Sequence, residues 1–204
     1  MLLIRQATGL NFETVAAAQP GWVQFFEILI LSDFLAYTYH RTVHTYPWLW
    51  QLHKIHHSVQ QMDWLSGIRV HPIDKILGDL FQFTPLFFLG FSSGPLLAYT
   101  IWLGFQSFLN HSNINFNFGL LRWIFSSPEF HHWHHCDDPK NYPEAHHKNF
   151  APHLVIFDLL FGTAYLPSDR SVPEKYGISE AVPESFWRQM IYPLRRPARL
   201  FRMS

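Results

Sequence analysis

Residues 81–109 read Phe-Gln-Phe-Thr-Pro-Leu-Phe-Phe-Leu-Gly-Phe-Ser-Ser-Gly-Pro-Leu-Leu-Ala-Tyr-Thr-Ile-Trp-Leu-Gly-Phe-Gln-Ser-Phe-Leu, and no acidic or basic side chain occurs anywhere between Asp79 and Arg122. An apolar run of this kind signals contact with lipid. As one helix it reaches about 44 Å at 1.5 Å per residue, whereas two full crossings of a core about 30 Å thick need about 40 residues. Length therefore leaves one helix or two open. Composition breaks the tie, because Gly90-Phe91-Ser92-Ser93-Gly94-Pro95 gathers two glycines and a proline in the middle. The reading is two helices, roughly 73–90 and 95–111, in a shallow or kinked hairpin.

Upstream, Trp22 to Tyr39 is a second apolar segment, interrupted by Glu27 and Asp33. Carboxylates at that depth face protein or a polar cavity. Residues 1–20 lack a sustained apolar core and carry Glu13, so they read as a retained N-terminus rather than a cleaved signal. The whole chain of 204 residues balances 15 basic against 15 acidic side chains, which excludes a nucleic-acid-binding footprint. Its single cysteine, Cys136, excludes a disulfide framework and cysteine-based metal sites. A hairpin returns the chain to the side it left, which gathers most basic residues on one face, and the positive-inside tendency makes that face cytoplasmic. The expected architecture is all-α, an integral membrane helical bundle with a cytosolic histidine-rich helical cap. It divides into one membrane domain over residues 1–166 and a Pro/Arg-rich amphipathic tail over 167–204.

Histidine is the outlier, with fourteen in the chain, five of them between His40 and His57 and six between His131 and His147. Asp33, Tyr37, His40 and His44 follow gaps of four, three and four, so one helix face carries them all. Asp33 and Tyr37 then stand where a hydrogen bond would fix the ring of a ligand histidine. His53-Lys54-Ile55-His56-His57 places imidazoles at i, i+3 and i+4, and the same spacing recurs at His131, His134 and His135. The latter follow Ser126-Ser127-Pro128-Glu129, a helix start with serine at the cap and proline in the first turn. Eight imidazoles exceed what one zinc uses, so two metal ions are the economical reading. Imidazole suits Zn, Cu, Fe and Ni alike, so spacing does not name the metal. Glu129 and Glu144 do not give the paired carboxylates of a di-iron bundle.

His111, at the exit of the hairpin, is the candidate ninth ligand, with Gln106 and Asn110 on neighbouring turns placed to hold a metal-bound water. His71, in Arg69-Val70-His71-Pro72, reads as a structural or supporting residue. His132 points off the ligand face, and His146 and His153 lack ligand spacing. His147, beside Lys148-Asn149-Phe150, and Asp158 are candidates for supporting a ligand from behind, Asp158 alternatively pairing with an arginine. Trp48, Trp50, Trp64, Trp102 and Trp133 are candidate walls for a lipid body, with Trp48 and Trp50 better read as interfacial anchors or core.

At these residues the sequence resembles the fatty acid hydroxylase/sterol desaturase superfamily, through Asp33-x-x-x-Tyr37-x-x-His40-Arg41-x-x-His44, His53-x-x-His56-His57, Arg69-x-His71-Pro72, His111-Ser112-Asn113, His131-x-x-His134-His135 and Asn149-Phe150-Ala151 leading to Phe157–Thr163. The resemblance covers roughly residues 20–166. It implies a membrane di-iron oxygenase: two Fe ions, which Zn may replace in preparations, O2 as co-substrate, and a sterol or fatty-acyl lipid to hydroxylate or desaturate. It implies Asn149 in a supporting role. Some relatives carry a further H-x-x-x-H where this chain has only Gln106, Asn110 and His111. About 20 residues precede Trp22, which reads as a short or truncated member, and no fused haem domain fits the length. Electrons would then come from a separate donor, a cytochrome b5-like protein, a ferredoxin or a reductase. The rival class is a histidine-rich membrane metal-binding or carrier protein without oxygenase activity.

Overall fold

Prolines set the ends of the first long helix. Pro20 precedes it and Pro47 follows it, and the residue before a proline is driven out of the helical region. Tyr46 accordingly sits at φ −94°, ψ 118°, ending α2 (Gly21–Thr45), while Pro47 opens α3 (Pro47–His57). The computed structural model describes residues 12–195 except 115, 117, 146, 169 and 170. His146, Arg5 and the basic run Arg196, Arg199 and Arg202 lie outside the described residues, as do residues 1–11 of the segment read as a retained N-terminus. A short α1 (Phe12–Ala17) precedes α2. The hairpin is α4 (Pro72–Phe88) and α5 (Ser93–His111), close to the expected boundaries, and the cap is completed by α6 (Pro128–His134), α7 (Ile156–Leu160) and α8 (Phe186–Ile191). Among the described residues there is no strand, only two isolated bridges, Phe125 with Leu154 and Cys136 with Tyr176.

The hairpin packs both its helices on α2. Ile28, Leu29, Leu86 and Tyr99 form the buried apolar centre. Gln82 crosses that centre, its Nε2 donating to Ser32 Oγ at 2.7 Å and to the Tyr99 hydroxyl at 3.0 Å. At the turn, the backbone N–H of Ser92 donates to Gln24 Oε1, tying the hairpin tip to the start of α2.

One expectation needs correction. Among the described residues no helix is long and apolar enough to cross a membrane. The physical cause is polar content within the helices: α2 carries Glu27, Asp33 and Arg41, α4 has only 17 residues and opens with Asp74, Lys75 and Asp79, and α5 ends in Gln106, Asn110 and His111. The outer faces are nevertheless apolar, with Trp22, Phe26, Ile30, Leu80, Phe87 and Ile101 exposed.

The tail does not stand apart from the cap. Lys54, fully buried on α3, donates from Nζ to Glu180 at 2.8 Å and lies over the Tyr192 ring. His132 meets the Tyr176 hydroxyl, Trp133 Nε1 donates to the Ser171 carbonyl, and Gly177 N donates to the His135 carbonyl. Residues 171–192 thus strap the second and third histidine segments together, while Phe186, Trp187 and Ile191 remain exposed.

Asp33 illustrates how the layers are joined. Its carboxylate, fully buried, accepts from His153 N and Leu154 N, and from His153 Nδ1 at 3.0 Å. Asp33→Ala would leave these buried donors unpaired. The expected result is a loss of about 2–3 kcal/mol of stability, read as a lowered Tm, with Asp33→Asn losing less because one amide oxygen still accepts.

Candidate metal centre

Four helices deliver nine imidazoles to one place. The end of α2 carries His40 and His44, α3 carries His53, His56 and His57, the last residue of α5 is His111, and α6 supplies His131 and His134 with His135 just past its end. Locally, Pro47 starts α3, and Ser127, accepting from Phe130 N, caps α6 with Pro128 in its first turn, the latter as read from the sequence. The nine fall into two groups, within each of which the ring nitrogens lie no more than 4.8 Å apart. One holds His40, His44, His53, His57 and His134, and the other His56, His111, His131 and His135. Each H-x-x-H-H triplet is split in the same way. Its outer i, i+4 pair serves one group and its middle residue the other.

Hydrogen bonds on the far side of the rings decide which nitrogen is offered. His56 Nδ1 meets the Arg69 carbonyl at 3.3 Å, and His111 Nδ1 meets the Ser107 carbonyl at 2.7 Å. A carbonyl only accepts, so in each ring Nδ1 bears the hydrogen and Nε2 of the neutral imidazole carries the lone pair. The two Nε2 atoms stand 3.2 Å apart. Burial first, then neighbouring imidazoles, hold the His56 pKa well below the ordinary value, and burial pushes His111 down to about 4. Neither ring takes up a proton near neutrality, so two lone pairs face each other. A cation between them relieves that repulsion, and nitrogens each about 2.0–2.1 Å from one ion stand about 3 Å apart.

The five-histidine group shows the same design. His134 Nδ1 meets the Lys148 carbonyl at 2.7 Å, leaving its Nε2 buried without a partner, and His44 Nε2 and His57 Nε2 are likewise unpartnered. His40 Nδ1 is held by the Phe150 carbonyl at 2.7 Å. Desolvation and nearby imidazoles depress His44, His57 and His134 strongly, and His40 to about 3. The residues present therefore fit two metal ions held wholly by nitrogen.

The structure places the supporting residues differently from the sequence reading. Asp33 touches no ligand ring and binds the 153–154 backbone instead. The Tyr37 hydroxyl meets Thr163 Oγ1 and Arg41, not His40 or His44. Asp158 pairs with no arginine and no ligand histidine. It accepts from Phe150 N, Ala151 N and Thr163 Oγ1, fixing the segment whose carbonyl holds His40. Asn149 acts in the same indirect way. It adopts φ +60°, which asparagine tolerates, and its side chain is fastened to the Phe130 carbonyl and to both backbone groups of Tyr165. The flanking carbonyls of Lys148 and Phe150 are thereby aimed at His134 and His40.

Gln106 Nε2 donates to the Ser126 carbonyl, and Asn110 Nδ2 donates to the Ser126 hydroxyl and the Pro152 carbonyl, so these amide nitrogens tie α5 to the cap. His71 caps α4, its Nδ1 accepting from Ile73 N while Nε2 meets the Met190 carbonyl. His147 lies at φ +56° with its ring 6.0 Å from that of His44. Trp133 is fully buried in the cap and walls no lipid path, whereas Trp50 packs on His44 and His57.

Sequence reasoning missed Asp74. Its Oδ2 lies 2.8 Å from His53 Nδ1, and its Oδ1 accepts from the Tyr39 hydroxyl at 2.6 Å. Burial pushes the carboxyl upward, but the hydrogen bond and charge of His53 outweigh this and hold it below the usual range. The available signal was an acidic residue in the first turn of a helix started by His71-Pro72, in the segment that follows the first triplet.

A sequence model described as Fatty acid hydroxylase matches residues 25–163. The chain belongs to this family. The fatty acid hydroxylase match takes in all nine clustered histidines and Asp74, and stops before the strap at 171–192. The chain is 33% identical to Ornithine lipid hydroxylase OlsE of Rhizobium tropici, over 96% of this chain and 62% of that protein. It is 27% identical to Alkylglycerol monooxygenase of Xenopus tropicalis, over 79% of this chain and 33% of the relative. A Putative methylsterol monooxygenase of Dictyostelium discoideum is 28% identical over 66% of this chain and 48% of its own length. The chain thus spans less than two thirds of each of these relatives. No solved structure matches it.

Proposed function

We propose that the protein is a membrane-bound lipid oxygenase that holds two irons in its nine-histidine cap and uses O2 and electrons from a separate donor protein to hydroxylate a lipid C–H bond. The observation that carries this reading is the convergence of buried, neutral imidazole nitrogens into two adjoining groups, with facing lone pairs that a cation must separate. Hydroxylation is favoured over desaturation by relatives named as a lipid hydroxylase and monooxygenases. When bound, the iron pair supplies oxidation of an unactivated C–H bond, chemistry that side chains alone do not provide.

The protein's part is to position and to exclude water. The carbonyls of Arg69, Ser107, Lys148 and Phe150 and the Asp74 carboxylate fix the ring tautomers. An apolar hollow of about 470 Å³ between Trp64 and the end of α5, lined by Trp64, Phe105, Phe108, Leu109 and Ile114, is suited to an acyl or sterol body. The exposed apolar faces of α2, α4 and α5 would lie in lipid, and the positive-inside tendency places the cap in the cytoplasm.

The test has two parts. Protein purified in detergent from iron-enriched cells is expected to carry about two irons per chain by elemental analysis, with zinc counted alongside. Mass spectrometry of host lipids, with and without the protein, is expected to show a species that has gained one oxygen. A product lacking two hydrogens would make it a desaturase. Metal that mild chelators exchange freely, with no altered lipid, would establish the carrier reading instead.

A further inference from the structure

The two histidine groups differ in their access to the outside. All four members of the smaller group are buried, with His135 completely so. The 64–68 turn closes on it so tightly that a Cβ on Gly67 would come within 2.9 Å of Ser107 Oγ and 3.1 Å of His111 Nδ1. On its other side the strap crosses His135, whose carbonyl accepts from Gly177 N. The five-histidine group is less enclosed, since His40 and His44 are only partly buried.

A cavity of about 330 Å³ runs from the outside to His44, His57 and His134. Each of these three presents a buried Nε2 with no hydrogen-bond partner. Its remaining wall includes Cys136, Asp137, His147 and Ile178 and takes nothing from the apolar hairpin helices α4 and α5. An opening at the cap end of α2, with Asp137 and His147 in its wall and no residue of the hairpin, serves water-borne species.

We propose that this cavity is the port through which metal ions and small coordinating ligands reach the five-histidine group from water, so that the two ions exchange at different rates. The inference rests on the two-metal reading above. Water-borne chelators enter here, whereas the ion at His56, His111, His131 and His135 leaves only when the 64–68 turn or the strap opens. Local opening of packed elements carries a free-energy cost that an existing cavity does not. Cys136, the only cysteine of the chain, stands in the wall and offers a handle for closing the port.

The full chain in detergent is loaded with zinc alone, and release to a soluble chelator is followed by a colorimetric zinc indicator. Two phases of equal amplitude are expected, separated at least tenfold in rate. Alkylating Cys136 with a bulky maleimide is expected to slow the fast phase at least tenfold and leave the slow one unchanged, while Cys136→Ser treated identically keeps both. Ile178→Trp, which narrows the same cavity without touching the thiol, is expected to slow the fast phase too. His111→Ala, reduced to the five-histidine ion, is expected to retain only the fast phase.

Release of both ions at one rate, or a fast phase indifferent to both the maleimide and Ile178→Trp, would overturn the port while leaving the two-metal reading intact. Persistence of only the slow phase in His111→Ala would overturn it as well. A chain that binds fewer than two zinc ions at the outset would overturn the two-metal reading and the port together.

Discussion

Replacing His56 or His134 with alanine is expected to remove one metal ion per chain and to lower lipid turnover by more than about 100-fold, beyond the 10–100-fold typical when a residue behind a ligand is lost. The two variants are expected to lose different ions. His56 belongs to the four-histidine group, and His134 to the five-histidine group. Each offers an Nε2 whose orientation is set by a backbone carbonyl, so no neighbouring side chain can take over its place. His132→Ala is the contrasting case, although His132 stands between two ligands on the same short helix. Its Nδ1 meets the Tyr176 hydroxyl, so the loss is one hydrogen bond to the strap, about 1 kcal/mol, with both ions kept. Elemental analysis beside turnover reads all three, and equal metal loss in His132→Ala would sink the division of the cap into ligands and supports.

Asp74→Ala is expected to weaken metal retention and turnover by about 10–100-fold, the range for outer partners of metal-bound histidines. The carboxylate holds His53 at Nδ1, which keeps Nε2 turned toward His40, 3.1 Å away. Asp74→Asn retains an oxygen that can accept the same hydrogen and is expected to recover most of the metal content. It recovers less of the affinity, because the negative charge that raises the basicity of the ring is gone. Tyr39→Phe removes only the second hydrogen bond to Asp74 and is expected to cost severalfold at most. Metal competition titrations separate these cases, and an Asp74→Asn protein as poor as Asp74→Ala would show that the carboxylate acts through charge alone.

Much of this centre was legible in the chain because helical spacing is local information. Imidazoles at i, i+3 and i+4 share a face wherever they occur, and Ser127-Pro128 announces where α6 begins. The partners behind the ligands were not legible, for a definite reason. Four of the five are backbone carbonyls, which every residue possesses and no sequence pattern marks. The fifth, Asp74, reaches His53 across a separation of 21 residues. Asp33 and Tyr37 were credited with direct contact because they share a helix face with His40 and His44, and Asp158 was read as supporting a ligand or pairing with an arginine. In the fold each is drawn to the backbone or hydroxyl groups of the 149–163 segment, whose buried polar atoms also require partners.

The sequence by itself determined the helical character of the chain, the hairpin broken at Gly90–Pro95, the nine histidines and the implication that they serve metal. These follow from periodicity, turn chemistry and ligand spacing, all of which act over a few residues. Tertiary structure alone decided how the nine divide. A lone H-x-x-H-H triplet reads as three ligands for one ion, yet each here gives its outer pair to one group and its middle histidine to the other. That assignment depends on which neighbouring helix faces each side of α3 and α6. It is settled by the packing of α2 and α5 around them and by the strap at 171–192, contacts between residues far apart in the chain.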